Sequence, residues 1–409
     1  MWHDLILTKI GLSLERSCSL IGCEGLHAAN GGILRKLIAR GEIDGSKVLM
    51  ASYDFTAMYT KFTHKMIIDA LTELLTYAFR RQALVMNKDC CYLAVPKHQD
   101  YQRSTAFWFE RDKFPSNDKR DKKFTLLSLS SLLDRIKFLL DSTYIFFGGE
   151  VFKQDIGLPM GLVPAGLMAS LTCFTYEIAY AERVLDRLSR TPLNAPDYEE
   201  VRARAYFIVL LQRYIDDEIH YLINKDFDSK TALYDERTAP GNAQDGGPLD
   251  GIYPTTSVGP KGEVVHMPCE LECVHGPSRE INFLDWSVAI VGDGQIITNV
   301  FDKRTGMEIY KNVRKFPHRA SVMSNKIRYN VVTSQLIRYA RRCTRYRDFL
   351  QNSAKLVAAM WAHGYRRDLL QHKILAFGRY WRRHCAHLGR FQDFARDFPR
   401  AVDEQLRAR

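Results

Sequence analysis

Two neighbouring aspartates, Asp216 and Asp217, stand in the run Tyr214-Ile215-Asp216-Asp217, with apolar stretches before it (Phe207–Leu211) and after it (Ile219–Ile223). Adjacent carboxylates repel each other, and burying the pair without a cation is costly. A solvated turn is the plainer reading, because Asp is common in turns. A second acid favours metal binding instead. Lys47–Tyr53 has the pattern of a strand and ends at Asp54, followed by Phe55-Thr56-Ala57-Met58-Tyr59. Two-metal phosphoryl transfer needs carboxylates that converge from separate strand ends and hold two ions roughly 4 Å apart. One ion activates an attacking hydroxyl, and the other neutralises a triphosphate and its leaving group. Hard oxygen ligands suit Mg²⁺ or Mn²⁺. Between the acids lies Gln154-Asp155-Ile156-Gly157-Leu158-Pro159-Met160-Gly161. Its flanking glycines allow the backbone to approach a base pair or a phosphate closely.

These groups need a scaffold, and the pattern supplies one. Leu34, Leu37 and Ile38 have helical spacing within a patchily helical stretch, residues 1–45. Lys47–Thr56 reads as a strand and His64–Arg81 as an amphipathic helix. Arg111–Lys123 reads as a surface loop, and Thr125–Asp141 as a leucine-rich helix. Ile156–Tyr176 is uncharged and long enough to span a bilayer, but its glycines and prolines break a continuous helix. It is expected to be a loop followed by a buried helix, Pro164–Leu185. Ala205–Ile223 reads as two strands joined through Tyr214–Glu218, a hairpin with acids at its tip. Residues 236–262 are rich in Gly, Pro, Asp and Thr and read as loop. Val264–Cys273 and Ile281–Asn299 return to strand patterning, and beyond about residue 330 the chain reads as helical. The expectation is an α+β body, an antiparallel sheet packed on helices, with an all-helical C-terminal appendage.

Charge is distributed unevenly. The net charge is +11, but Phe301–Arg409 carries 25 Lys and Arg against 8 Asp and Glu, whereas the preceding 300 residues carry 33 against 39. A polycationic end on a mildly acidic body suits a phosphate backbone, whose neutralisation releases condensed counterions. Arg338, Arg341, Arg342, Arg345 and Arg347 alternate with Tyr339 and Tyr346. Nine cysteines without a regular framework, and an N-terminus without a signal-peptide pattern, place the chain in the nucleus or cytoplasm rather than outside the cell. His266, Cys269, Cys273 and His275, and likewise Cys18, Cys23 and His27, have only loose ligand spacing, so no zinc is expected. Gly251-Ile252-Tyr253 has no Tyr-Ile-Gly partner and reads as a coincidental match to a GIY-YIG endonuclease.

Taken in order, the motifs carry a resemblance. Tyr53–Thr60 resembles motif A of reverse transcriptases, Gln154–Gly161 with its following helix resembles motif B, and Tyr214–Asp217 resembles motif C. Asn282-Phe283-Leu284-Asp285 is similar to the Phe-Leu-Asp element of Penelope-like retroelements. Phe316-Pro317-His318-Arg319, Ser334-Gln335-Leu336 and Arg338–Arg342 resemble that family's thumb. The resemblance implies a right-hand polymerase: a palm over 47–300 with insertions near 111–123 and 236–262, and a basic helical thumb over 301–409. Only 53 residues precede Asp54, so the fingers are expected to be reduced or missing, with residues 1–46 as their helical remnant.

The resemblance also implies roles. Asp54, Asp216 and Asp217 would be the catalytic, metal-holding acids. Phe55, Tyr59, Gln154, Gly157, Pro159, Met160 and Gly161 would contact the nucleotide, with Tyr59 as a steric gate against the ribose 2′-hydroxyl. Tyr214, Asn282, Phe283, Leu284, Arg338, Arg341 and Arg342 would hold primer and template, and Lys225 or Lys230 could protonate pyrophosphate. The implied partners are an RNA template, a DNA primer and dNTPs, with two Mg²⁺ or Mn²⁺ ions and no membrane. The competing expectations are a retroelement relic that binds nucleic acid without catalysis and an RNA-dependent RNA polymerase.

Overall fold

A computed structural model describes residues 31–87, 91–96, 106–109, 124–223, 251–253, 257–258, 264–265, 269–304, 308–310 and 316–407. Cys18, Cys23, His27, the 111–123 segment, Lys225, Lys230, His266 and most of 236–262 lie outside the described residues.

After a short helix, α1 (Gly31–Ala39), the chain enters β1 (Leu49–Phe55), which becomes an inner strand of a four-stranded antiparallel sheet. Thr63 accepts the Met66 amide and starts α2 (His64–Val85), whose Met66, Ile67, Ala70 and Leu71 face the core. A small sheet follows, built from β2 (Tyr92–Pro96), β3 (Phe107–Phe109) and β4 (Phe124–Leu127) in the order β3-β2-β4. Ser128 caps α3 (Leu129–Asp141), so the stretch expected to be helical from Thr125 begins with a strand. An exposed hairpin, β5 (Tyr144–Phe147) and β6 (Glu150–Lys153), delivers the chain to Gln154. Then α4 (Ala165–Arg190) buries Ala165, Met168, Ala169, Thr172 and Cys173, a stripe at helical spacing. Among the described residues, no helix is long and apolar enough to cross a membrane.

One expectation fails in the next segment. The first arm of the supposed hairpin is instead a helix, α5 (Tyr198–Leu210), and only Gln212–Tyr214 is strand, β7. Every residue from Ala203 to Leu211 is buried. A short apolar run buried all round satisfies strand and helix equally. Glu199 and Glu200 in the first turn, and the Arg204–Glu200 pair one turn apart, favour the helix.

The second arm, β8 (Asp217–Leu222), pairs with β1, and β11 (Leu271–Ser278) closes the other side, giving the order β11-β1-β8-β7. Between β8 and β11, β9 (Ser257–Val258) pairs with β10 (Val264–Val265), and Ile252 and Tyr253 are buried in the main core. A meander of β12 (Glu280–Phe283), β13 (Trp286–Val291) and β14 (Gln295–Val300) follows.

A second apolar core belongs to four helices: α6 (Asn325–Arg342), α7 (Tyr346–Ala362), α8 (Arg367–His384) and α9 (Phe391–Arg407). Its centre is aromatic, with Trp381 in contact with Phe349, Phe377 and Phe394, and Phe349 with Phe394. The α6–α7 junction is fastened to the meander. The Thr298 amide donates to Thr344 Oγ1 at 2.8 Å, Thr298 Oγ1 donates to the Arg342 carbonyl at 2.6 Å, and the Thr344 amide donates to the Thr298 carbonyl at 3.1 Å.

Candidate active site

The acids meet through strand register. Asp54 on β1 pairs directly with Asp217 on β8 and, on its other side, with Glu272 on β11. Cross-strand partners share a face, so three carboxylates form one row across the sheet. Asp216 lies in the two-residue turn between Tyr214 and Asp217, and its carbonyl accepts the Phe55 amide at 3.0 Å. The turn is reached through Ile215 at φ 61°, a left-handed conformation that a β-branched residue rarely adopts.

Burial pushes the Asp217 carboxyl up to about 6, helped by the negative charges of Asp216 and Asp54; Lys303 opposes the rise. Burial also raises Asp54, followed by the charges of Asp216 and Glu272, again against Lys303. A divalent cation bound beside these carboxylates would favour their charged forms. All-oxygen donors of this kind suit Mg²⁺ or Mn²⁺, and Asp54, Asp216 and Asp217 are the residues that would hold it. Among the described residues, no three Asp, Glu, His or Cys groups already stand in an ion-holding cluster.

Tyr59 joins the acid turn to the glycine segment. The chain turns at Ala57 (φ 58°) into a single helical turn, Met58–Lys61. The Tyr59 carbonyl then accepts the Leu158 amide at 2.6 Å, and the Phe62 carbonyl accepts the Gly157 amide at 2.7 Å. A Cβ on Gly157, at φ 89°, would lie 2.5 Å from the Tyr59 carbonyl oxygen, so this close approach requires glycine. His64 Nε2 lies 3.0 Å from the Gly157 carbonyl oxygen and holds the segment from the other side. The Tyr59 hydroxyl stands against Gly166, at the start of α4, where an added Cβ would meet it at 3.2 Å and Ile215 Cδ1 at 3.4 Å. Burial, Asp216 and Tyr214 all raise the Tyr59 phenol above its ordinary range.

The remaining residues expected to contact the nucleotide diverge. Met160 is 77% exposed. Gln154 donates through Nε2 to the Ile156 carbonyl at 3.1 Å. Gly161 is at φ 102°, and Pro159 accepts the Leu162 amide at 3.1 Å. Phe55 turns its ring inward: it is 2% exposed and packs edge-on to Tyr253 at 5.0 Å. That burial leaves its backbone amide, rather than its ring, on the acid side.

A second two-residue turn repeats the design of the first. Phe283 pairs with Trp286 around Leu284 (φ 55°) and Asp285. Phe283 is buried, Asn282 is half-buried and Leu284 packs against the main core. Arg338 Nε donates to Asp285 at 2.8 Å, and Arg342 pairs with the same carboxylate at 2.8 Å while lying 5.3 Å from the Trp286 ring centroid. Arg341 is exposed on the same helix. Beside the two turns opens a cavity of about 580 Å³ lined by Tyr214, Leu284 and Asp285 together with the cations Lys303, Arg304, Arg338 and Arg342.

Behind the acid turn lies a buried polar network that motif spacing does not mark. Arg213, Glu177, Glu218, His220 and Tyr253 join through hydrogen bonds of 2.5–3.0 Å. Its signal in the sequence is chemical: charged residues inside otherwise apolar runs. Glu272 has no such signal, since strand pairing alone puts it beside Asp54. Of the discounted zinc candidates, Cys269 is buried and Cys273 is exposed on β11.

The chain is similar to the solved structure of telomerase from Candida albicans in complex with a TWJ fragment of telomeric RNA. The identity is 11% and the TM-score 0.41, over 99% of this chain and 53% of that one. Telomerase from Candida tropicalis in complex with a TWJ fragment of telomeric RNA gives 13% and 0.38, over 99% and 50%. Apo telomerase from Candida tropicalis gives 12% and 0.36, over 99% and 53%. The chain therefore spans about half the length of the structures it matches. No protein-family model matches the chain, and no curated protein matches it.

Proposed function

We propose that this chain is an RNA-directed DNA polymerase, a reverse transcriptase of the Penelope-like type that extends a DNA primer on an RNA template with dNTPs. The observation that carries the reading is the direct cross-strand pairing of Asp54 with Asp217, with Asp216 in the adjoining turn. Mg²⁺ or Mn²⁺ held by these acids would activate the primer hydroxyl and neutralise the triphosphate. The chain's own residues do the rest. Asp54 and Asp217 sit on strands fixed by hydrogen bonds, so their separation costs nothing to set at the moment of reaction. Tyr59 presents its half-buried ring beside the acid turn, where a ribose 2′-hydroxyl would collide with it. Gly157, lacking a side chain, brings backbone close to the nucleotide. In this reading 47–300 forms the palm, 301–409 the thumb and 1–46 a remnant of the fingers, and the basic helices lie along duplex phosphates without reading sequence.

A second reading is a chain that binds nucleic acid without turnover, favoured by the excess of 25 Lys and Arg over 8 Asp and Glu across residues 301–409. Primer extension on poly(rA)/oligo(dT) with dTTP and Mg²⁺ or Mn²⁺ separates the two. The polymerase reading expects extension that is lost in the Asp216→Asn plus Asp217→Asn variant. Extension that survives the double substitution sinks the assignment of the acids. Duplex binding with no extension establishes the second reading.

A further inference from the structure

Arg213 lies two residues before the left-handed Ile215, and its side chain is 8% exposed. Each guanidinium nitrogen has its own acceptor. Nε donates to Glu177 Oε1 at 2.5 Å, Nη1 to the Ile215 carbonyl at 3.0 Å and Nη2 to the Ser170 carbonyl at 2.8 Å. Glu177 and Ser170 belong to α4, the helix whose first turn carries Gly166 against Tyr59. Tyr253 shares its hydroxyl hydrogen between Glu177 at 3.0 Å and Glu218 at 2.6 Å, and Glu218 in turn meets His220 at 2.9 Å. Glu218 directly follows Asp217 and is 0% exposed. The acid pair is thus gripped from both sides, through the carbonyl before it and the carboxylate after it.

A β-branched residue held at positive φ persists only where its surroundings over-determine it. The bond from Arg213 to the Ile215 carbonyl supplies that constraint at the strained residue itself. We infer that Arg213 is the positioning residue of the acid turn: it locks Ile215 to α4, so that Asp216 and Asp217 are aimed by the same helix that sets Tyr59. This rests on the metal-binding role proposed above for the two acids. Lysine cannot substitute, because a single ammonium lacks the planar fork that serves three acceptors in different directions.

The test uses the full chain with Arg213→Lys and Glu177→Gln, and reads Mn²⁺ binding by electron paramagnetic resonance beside primer extension. Folding is checked by circular dichroism. The expected result for a folded Arg213→Lys is Mn²⁺ binding weakened roughly 10–100-fold, as for other groups that orient metal ligands. kcat should fall with it while KM for dTTP stays near wild type, and added guanidinium should restore part of the kcat of Arg213→Ala. Should Arg213→Lys not fold, Glu177→Gln gives the reading, since it removes the charged anchor and keeps the guanidinium. Wild-type Mn²⁺ affinity and kcat in a folded variant overturn the inference. A wild-type protein that binds Mn²⁺ through Asp216 and Asp217 but extends no primer sinks the polymerase reading, and weakened Mn²⁺ binding in the variants still supports the positioning role.

Discussion

The Tyr59 carbonyl accepts the Leu158 amide at 2.6 Å, and the space left beside that bond fits no side chain on Gly157. The segment after Asp54 and the glycine segment are thereby one backbone unit, joined before any substrate arrives. Gly157→Ala should destabilise the fold by at least about 1 kcal/mol, because the position needs positive φ and the new Cβ meets backbone. Urea denaturation checks this, with a lower midpoint at an unchanged slope as the expected outcome.

The acids should make stability depend on pH and, through the metal-binding role proposed for them, on divalent cations. Folded Asp217 keeps its proton up to about pH 6, against an ordinary value of 3.8. Between those values the folded chain binds more protons than the unfolded one, so raising the pH across that window lowers stability. In metal-free buffer the melting temperature should fall as pH rises from about 4 to 6. Asp217→Asn should flatten the slope, and Mn²⁺ should oppose it most strongly at the upper end. A melting temperature that climbs through the window in wild type but not in Asp217→Asn contradicts the arrangement.

The Tyr59 hydroxyl lies beside Gly166, where an added Cβ would meet it at 3.2 Å. Replacing Tyr59 with alanine opens space on the nucleotide side. Tyr59→Ala should raise ribonucleotide incorporation relative to deoxynucleotide by on the order of tenfold in kcat/KM. Competition between rGTP and dGTP on a poly(rC) template measures the ratio directly.

Asp285 engages both Arg338 and Arg342, two of the cations expected to meet nucleic acid. Asp285→Asn releases that charge. It should tighten duplex binding at low salt and steepen the dependence of log K on log salt by about one to two phosphate contacts. Titration of a fluorescent duplex at several salt concentrations reads both effects, and an unchanged slope would mean that neither arginine reaches a phosphate.

Much of this architecture was legible in the residues because it follows from short-range rules. The strand carrying Asp54, the helix after Thr63 and the helix after the Gly-Pro segment each carry their own periodicity, and Thr63 caps the first of the two helices. The helix Tyr198–Leu210 was not legible as such, because a run buried on all sides shows no period. The row Asp217–Asp54–Glu272 depends on the pairing of β1 with β11, whose partners lie more than two hundred positions apart. Likewise, Phe55 stands beside Asp54 in sequence yet points its ring into the core, because successive side chains of a strand alternate between faces. Adjacency in a motif therefore does not establish adjacency in the site.

The bonds linking Thr298 with Arg342 and Thr344 have a mechanical consequence. They fix the end of α6 and the start of α7 to the last strand of the meander. The C-terminal helices are thereby anchored to a meander whose Ile281, Phe283, Trp286, Val288 and Ile290 belong to the same core as Met50, Phe55, Ile219 and Tyr221 of the acid-bearing strands. Arg279, between β11 and β12, donates to the Ile290 and Gly292 carbonyls and so stiffens the passage from one sheet to the other. Load placed on the basic helices is therefore borne by packed core rather than by a loop.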